Sequence, residues 1–307
     1  MNILVTGANG QLGSEIKYLV TNNLTFNIKH LTFFFTDKDE LDITNEDNIR
    51  KYVNENDIDL IINCAAYTAV DKAEEEKEKS DLVNHIAVKY LANTAKEKDI
   101  PLMHISTDYV FDGKNYRPYT EEDPVNPQSV YGLTKLKGEE AFINSGARGI
   151  IIRTSWVYSS FGHNFVKTML RLKDRGEIGV VFDQVGTPTY ARDLAEAILR
   201  IIDVKCLMLN EKEKNNLTSN IEHLTFNNVE IYHYSNEGVC SWYDFAKAIF
   251  EIENIDIKVN PIESKDYPTP AKRPHYSVLN KNKIKKEFNI IIPYWKESLK
   301  RMLNERF

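Results

Sequence analysis

The chain has 307 residues, a formal net charge of −6 at pH 7 and 42% hydrophobic residues. This length exceeds the usual size of one compact core, so we expect two domains or one large α/β domain with an appendage. The negative charge argues against a nucleic-acid surface, no apolar run approaches the roughly 20 residues of a membrane helix, and no signal peptide precedes the first strand. We therefore expect a cytoplasmic protein with neither nucleic acid nor a membrane as partner.

The first predicted elements are a strand, Ile3–Thr6, the glycine-rich segment TGANGQLG and a helix with apolar residues at helical spacing. Gly7, Gly10 and Gly13 follow a G-x-x-G-x-x-G spacing, one residue longer than the G-x-G-x-x-G of ordinary dehydrogenases. Glycine permits positive φ and close backbone approach, and a helix N-terminus favours an anion. A tight turn with a helix cap would use the same residues, but this position favours a site for dinucleotide phosphates.

Apolar strands alternate with helical patterns along the next part of the chain. Further strands are predicted at Leu31–Thr36, Leu60–Cys64, Leu102–Ser106 and Gly149–Thr154, and helices near Glu46–Glu55, Ser80–Lys98 and Val130–Asn144. This βαβ series predicts a Rossmann-type, doubly wound parallel sheet covered on both faces. Ligands bind outside the carboxyl ends of such strands, so the functional residues should directly follow them.

An acidic and a basic residue follow the second strand. Asp37 lies about 24 residues beyond the glycine turn, close to the ~20 at which an acidic residue usually meets the adenosine ribose of NADH. Lys38 beside it is suited to the 2′-phosphate of NADPH, so the choice between the two cofactors stays open. An alternative is a solvated charge pair at the end of a strand.

Tyr131 and Lys135 are four residues apart on the helix predicted after Pro127, so they project from one face. A tyrosine with an ordinary pKa near 10 is a reluctant acid, and a nearby ammonium should lower this pKa. Thr107, at the end of the fourth strand, is placed to orient a substrate carbonyl. This set predicts reduction of a carbonyl by a nicotinamide cofactor, with Tyr131 as proton donor. The alternative is an exposed helix on which Tyr131 serves only for packing.

Several segments together carry a family resemblance. They are TGANGQLG, LDIT, INCAAYTAVDKAE, HISTDYVFDG, PQSVYGLTKLKGE, RTSWVYSSFGHNFVKTML, DQVGTPTYARDLA, EIYHYSNEGVCSWYDFA and AKRPHYSVLN. The set resembles the extended short-chain dehydrogenases, and within that family the reductases of dTDP-linked keto sugars. The resemblance implies reduction of the 4-keto group of dTDP-4-dehydro-L-rhamnose to dTDP-L-rhamnose by NADPH or NADH.

The resemblance also implies roles for individual residues. For the cofactor they are Gly10, Gln11 and Leu12 at the phosphates, Asp42 and Ile43 at the adenine side, Ala65, Ala66 and Tyr67 at the inner half, and Lys135. For the dTDP-sugar substrate they are Thr107, Asp108, Tyr131 and Trp156, with Asn164 completing the pocket. For Trp156 an aromatic plug between domains is an equal alternative. Arg273 is implied to grip the diphosphate or to close the domains, the alternative being a solvated basic face.

The expected cofactor-binding domain is 1–154 plus about 176–189. The expected substrate-binding domain is a smaller, discontinuous α/β unit made of about 155–172, 191–202 and 229–307. Residues 206–228 are interpreted as a surface insertion. Cys64, Cys206 and Cys240 have no paired spacing, which predicts reduced thiols and no metal site.

Some relatives bind magnesium between two subunits through clustered glutamates. Glu15 fits such a position, but Tyr190 and Ala191 stand where another carboxylate is needed, so we expect no magnesium site. The oligomeric state stays open between monomer and homodimer. Two other functions stay open as well. One is a reductase or epimerase of another nucleotide sugar; the other is a non-catalytic, dinucleotide-binding regulatory subunit like that of methionine adenosyltransferase.

Overall fold

The computed structural model describes residues 1–22, 31–213 and 226–305, with the backbone alone for 205–213. The strands are β1 Asn2–Thr6, β2 Thr32–Thr36, β3 Leu60–Asn63, β4 Leu102–Thr107, β5 Gly149–Thr154, β6 Val157–Tyr158, β7 Glu177–Val181, β8 Val185–Gly186, β9 Thr189–Tyr190, β10 Val229–His233, β11 Cys240–Ser241 and β12 Lys258–Ile262. The helices are α1 Gln11–Asn22, α2 Glu46–Glu55, α3 Val70–Ala73, α4 Lys77–Asp81, α5 Ala87–Glu97, α6 Val130–Asn144, α7 Phe165–Arg171, α8 Ala191–Glu213, α9 Trp242–Ile252, α10 Asn282–Phe288 and α11 Trp295–Asn304. Within the described ranges, no helix is both long and apolar enough to span a membrane.

A six-stranded parallel sheet forms the centre of the molecule, with the order β10-β5-β4-β3-β1-β2. Alternate residues of β1 enter different cores: Ile3 and Val5 pack with α1 and α8, whereas Leu4 packs with α2 and α5. Apolar residues cover both faces because parallel strands are sandwiched between helices. The doubly wound, Rossmann-type fold predicted from the sequence is therefore confirmed. The strand order reverses between β1 and β3, where such sheets bind their ligands.

The predicted helices Glu46–Glu55 and Val130–Asn144 are confirmed as α2 and α6. The helical pattern predicted near Ser80–Lys98 is confirmed, and within it a π-helical turn, Leu82–Ile86, joins α4 to α5. Asn84 in this turn is buried, and its side-chain amide bonds both the N–H and the carbonyl of Tyr67. A π turn of this kind often marks a functional region.

A second core joins helices α7, α9 and α11 around aromatic residues such as Tyr158, Phe245 and Trp295. Beside this core, β7 pairs with β12 in a separate two-stranded sheet, although 176–189 was expected to belong with the cofactor-binding domain. Conversely, β10 lies in the central sheet and the first half of α8 packs on α1, although both were expected in the substrate-binding domain. Pairing between distant strands thus decides where each of these segments packs, and the division into domains stays a prediction.

The expected insertion 206–228 begins within α8, which continues to Glu213. Residues 214–225 lie outside the described residues. At the other end of this segment, Phe226 is buried in the core beside α8 and the central sheet. The segment is therefore anchored at the end that leads into β10.

Candidate active site

The glycine turn is packed too tightly for side chains at two of its three glycines. Gly7 has a φ of +64°, and a Cβ at this position would lie 2.7 Å from the backbone of Ala65. A Cβ on Gly13 would overlap the carbonyl oxygen of Gly7, whereas Gly10 is exposed. Helix α1 begins at Gln11 and has no acidic residue in its first turn. Its free N–H groups and its dipole suit an anion, so the turn fits the diphosphate of a dinucleotide.

The acidic residues after β2 are held by local hydrogen bonds. Asp37 accepts from the N–H of Asn9 in the glycine turn at 3.0 Å and from the N–H of Lys38. Asp42 accepts from both the N–H and the hydroxyl of Thr44, and these bonds lower its pKa. Ile43 is buried in the core behind it. A surface cavity beside Asp42 is lined by residues that include Lys38, Lys51 and Tyr52.

The segment Ala65–Tyr67 crosses the carboxyl end of β3. The N–H of Ala65 donates to Asn63 Oδ1 at 3.2 Å, and the N–H of Tyr67 donates to Asn84 Oδ1 at 2.8 Å. The same Asn84 amide lies 3.3 Å from the hydroxyl of Thr134, which follows Tyr131 by one turn of α6. This loop and the helix with the predicted proton donor are thus tied together. The sequence analysis missed Asn84; a polar residue inside an apolar helical pattern was the available signal.

Thr107, Tyr131 and Lys135 meet at the carboxyl end of β4. Helix α6 begins after Ser129, whose hydroxyl accepts from the N–H of Gly132, and a Cβ on Gly132 would overlap the carbonyl oxygen of Tyr109. The helix therefore approaches the end of β4 closely. Lys135 Nζ donates to the carbonyl oxygen of Ile105 at 2.6 Å, Thr107 Oγ1 donates to Asp108 Oδ1 at 2.9 Å, and the side chain of Tyr131 lies beside Thr107.

Burial controls the electrostatics of this group. Burial raises the pKa of Tyr131 to about 12, against the neighbouring hydroxyl of Thr107 that lowers it. Burial also lowers the pKa of Lys135 to about 8, against the charge of Glu139 that raises it. The expectation that Lys135 brings the pKa of Tyr131 below its ordinary value is therefore wrong for this structure. Lys135 Nζ is turned towards Ile105 O, and desolvation of Tyr131 outweighs the effect that a charge on Lys135 has on it.

Asp108 is 2% exposed, and burial raises its pKa to about 6. The hydrogen bond from Thr107 Oγ1 at 2.9 Å and the neighbouring hydroxyl of Ser277 oppose this shift. Ser277 comes from the segment after Arg273 and was not singled out in the sequence. It brings the C-terminal part of the chain against the end of β4.

Trp156 and Asn164 are engaged in contacts within the protein. Trp156 has a φ of +49° and stacks on Trp242, with ring centroids 3.6 Å apart and planes inclined by 10°. The contact covers one face of the Trp156 indole ring. An aromatic plug between domains, the alternative role for Trp156, requires such a contact. Asn164 caps α7 by accepting from the N–H of Lys167, and its amide donates to Gln11 Oε1 at 2.9 Å. Asn164 therefore links α7 to the glycine turn.

Arg273 is partly buried and does not belong to a solvated basic face. Its Nη2 donates to Asp71 Oδ2 at 2.6 Å, and the N–H of Ala271 donates to Asp71 Oδ1. Asp71 lies on α3, directly after the Ala65–Tyr67 segment. The arginine thus joins the C-terminal segment to the loop beside the glycine turn.

Glu15, considered above for magnesium, is buried in an ion pair. Its carboxylate accepts from Arg192 Nε at 2.8 Å and from the hydroxyl of Ser159 at 2.6 Å. Throughout the described parts of the chain, no group of three or more His, Cys, Asp or Glu side chains is placed to hold a metal ion. Glu15 is thus already neutralised by a side chain of the protein.

Comparison with known proteins gives matches over the whole chain. The family model described as RmlD substrate binding domain matches residues 1–307. A dTDP-4-dehydrorhamnose reductase from Aggregatibacter actinomycetemcomitans is 40% identical over 306 residues, with 97% of both chains covered. The crystal structure of a dTDP-4-dehydrorhamnose reductase from Clostridium acetobutylicum is 43% identical, with 99% of both chains covered and a TM-score of 0.85. A Bacillus anthracis dTDP-4-dehydrorhamnose reductase, solved in complex with NADP, is 35% identical, with 99% of both chains covered and a TM-score of 0.83.

Proposed function

Because the chain belongs to the family of dTDP-4-dehydrorhamnose reductases, we propose that it reduces the 4-keto group of dTDP-4-dehydro-L-rhamnose to dTDP-L-rhamnose with NADPH. The observation that supports this most is the meeting of Thr107, Tyr131 and Lys135 at the end of β4. Ala65, which packs against Gly7 of the glycine turn, lies at the neighbouring end of β3. A dinucleotide site and a proton donor therefore share one edge of the sheet.

When bound, the reduced nicotinamide supplies a hydride to the carbonyl carbon of the sugar and is itself oxidised. The residues of this chain have the remaining tasks. Tyr131 and Thr107 hydrogen-bond the ketone oxygen, and Tyr131 gives it the proton that completes the alcohol. Burial keeps Tyr131 protonated at neutral pH, since its pKa is raised to about 12, so the acid form is the one available. Lys135 stabilises the phenolate left behind when it carries its charge.

The cofactor is held by the residues at the carboxyl ends of the first three strands. Gly7, Gly10, Gln11, Leu12 and Gly13 surround the diphosphate, Asp42 and Ile43 the adenine side, and Ala65, Ala66 and Tyr67 the inner half. Asp37 already accepts from Asn9, and Lys38 directly follows it in the chain. Lys38 suits a 2′-phosphate, and the Bacillus anthracis relative was solved in complex with NADP, which supports NADPH over NADH.

Four residues are assigned to the dTDP-sugar substrate: Asp108, Trp156, Asn164 and Arg273. Arg273 closes the C-terminal segment over the loop by its bond to Asp71, and Asn164 acts through Gln11. The division into a cofactor-binding and a substrate-binding domain, a cytoplasmic location and a monomeric or homodimeric state remain part of the proposal. Light scattering of the purified protein decides the oligomeric state.

The test is an assay of the purified protein with NADPH, then NADH, and dTDP-4-dehydro-L-rhamnose generated in the same tube. We expect loss of nicotinamide absorbance and formation of dTDP-L-rhamnose, faster with NADPH. Oxidation with another nucleotide sugar alone would favour a reductase or epimerase of that sugar. Cofactor binding without turnover of any sugar would favour the regulatory subunit, against which the complete set of Thr107, Tyr131 and Lys135 weighs.

A further inference from the structure

A chain of buried hydrogen bonds leads from the sheet to Lys135. Thr6 Oγ1 donates to Asn63 Oδ1 at 2.7 Å, Asn63 Nδ2 lies 3.0 Å from His104 Nδ1, and His104 Nε2 lies 3.4 Å from Lys135 Nζ. Thr6, Asn63 and His104 sit on β1, β3 and β4, and none is more than 1% exposed. Buried polar groups of this kind must match donors with acceptors, so the direction of every bond can be worked out.

The backbone fixes the direction of the chain. The N–H of Ala65 can only donate, and it points at Asn63 Oδ1 at 3.2 Å. The other side-chain atom of Asn63 is therefore the amide nitrogen, which can only donate. His104 Nδ1 must accept this bond, and a ring with an acceptor at Nδ1 is neutral and carries its proton on Nε2. Burial agrees, since it lowers the pKa of His104 well below the ordinary value.

The Nε2–H of His104 consequently faces Lys135 Nζ. An ammonium has only donors, so it would set a donor against a donor at this contact. An uncharged amine has a lone pair for His104, while one of its N–H groups donates to Ile105 O at 2.6 Å. We propose that His104 is a positioning residue for the reduction: its Nε2–H hydrogen-bonds the amine of Lys135 and stabilises the uncharged form of that side chain.

The other ionisable groups around Lys135 are either uncharged or paired, so they do not override the effect of His104 on its protonation. From its own helix, Tyr131 is protonated and Glu139 is paired with Arg153 of β5 by bonds of 2.7 and 3.0 Å. After β3, the thiol of Cys64 is protonated, since burial raises its pKa to about 12. Burial lowers the pKa of Lys135 to about 8 against the charge of Glu139, and the bond from His104 acts in the same direction as burial.

This inference rests on the proposed function for its consequence. If the charged form of Lys135 serves the cofactor and the phenolate of Tyr131, the free enzyme loses competence as Lys135 loses its proton above neutral pH. His104 then sets the pH at which this loss occurs. Removing the donor destabilises the amine, so the pKa of Lys135 must rise and the alkaline limb of the pH profile must move upward.

The first test uses the intact, cofactor-free protein and no assay of activity. Imidazole nitrogen NMR of protein labelled with ¹⁵N-histidine reports the tautomer of each ring, and the His104→Gln variant identifies the His104 signals. We expect a neutral ring with its proton on Nε2 throughout the range in which the protein is folded. A proton on Nδ1, or titration of the ring near neutral pH, would overturn the inference while leaving the proposed reduction untouched.

The second test compares His104→Phe with His104→Gln. Phenylalanine keeps the ring but has no donor, whereas glutamine returns an amide N–H near the position of Nε2. We expect His104→Phe to move the alkaline limb of kcat/KM upward by roughly one pH unit and His104→Gln to restore it. The same alkaline limb of kcat/KM in the wild type and in both variants would contradict the positioning role. Replacing a histidine with a purely structural role would change only the stability of the protein. The NMR result decides the question if His104→Phe does not fold.

Discussion

Arg273 Nη2 donates to Asp71 Oδ2 at 2.6 Å and so joins two residues that lie 202 positions apart in the chain. Their side chains are 22% and 38% exposed, so solvent screens the pair and its energetic contribution is modest. Its geometric effect is larger, because it holds the C-terminal segment with Ser277 beside the end of β4. Binding of the sugar nucleotide should therefore depend on it.

We expect Asp71→Asn to raise KM for the dTDP-sugar roughly two- to fivefold with little change in kcat, as loss of a partly exposed ion pair implies. Asparagine keeps an acceptor for the N–H of Ala271, so the loop should stay folded. The exposed pair of Lys258 and Glu177 provides the control, and Lys258→Gln should leave KM unchanged. Equal effects of the two variants on KM would show that the Asp71 pair has no special role.

Tyr131→Phe removes the proposed proton donor and keeps the ring that packs against Tyr109. We expect kcat to fall by roughly 10²- to 10⁴-fold, the usual contribution of general acid catalysis, while the affinity for NADPH persists. Steady-state kinetics and fluorescence titration of the cofactor measure the two quantities. Tyr116→Phe is the control, since Tyr116 is 90% exposed. Turnover that survives in Tyr131→Phe would remove Tyr131 from the mechanism.

Gly7→Ala should abolish cofactor binding. The added Cβ would lie 2.7 Å from the backbone of Ala65, in a turn that cannot move without displacing β3. Gly176 is a matched control, because its φ of +72° is similar and a Cβ there meets nothing within 4 Å. Gly176→Ala should therefore show only the strain of positive φ, about 1–2 kcal/mol in the free energy of unfolding. Wild-type NADPH affinity in Gly7→Ala would contradict the assignment of the phosphate site.

Asp108 makes the stability of the protein depend on pH. Burial raises its folded-state pKa to about 6, above the ordinary 3.8, so the folded state favours the protonated form. Its contribution to stability is complete below about pH 4 and is lost as pH rises through 6. We expect Asp108→Asn to flatten this part of the pH dependence and to be more stable than wild type at pH 7. Urea unfolding across this range, with the exposed Asp47→Asn as control, tests the sign; lower stability of Asp108→Asn at pH 7 would refute it.

Local patterns in the sequence predicted the glycine turn, α2 and α6. Each depends on residues within one or two turns of chain. The π turn around Asn84, the partner of Arg273 and the direction of the His104 bonds depend on contacts between distant segments, which spacing does not encode. The same holds for β10, since only pairing with β5 places it in the central sheet. The shift in the pKa of Tyr131 was missed because burial, not the neighbouring charge, dominates.

Transfer of label from the cofactor tests the central claim most directly. The purified protein is given NADPH deuterated at C4 of the nicotinamide, together with dTDP-4-dehydro-L-rhamnose, and the product is examined by NMR and mass spectrometry. We predict dTDP-L-rhamnose with deuterium at C4 of the sugar, and loss of this product in Tyr131→Phe. Unreduced dTDP-4-dehydro-L-rhamnose after incubation with folded, cofactor-binding protein would contradict the account.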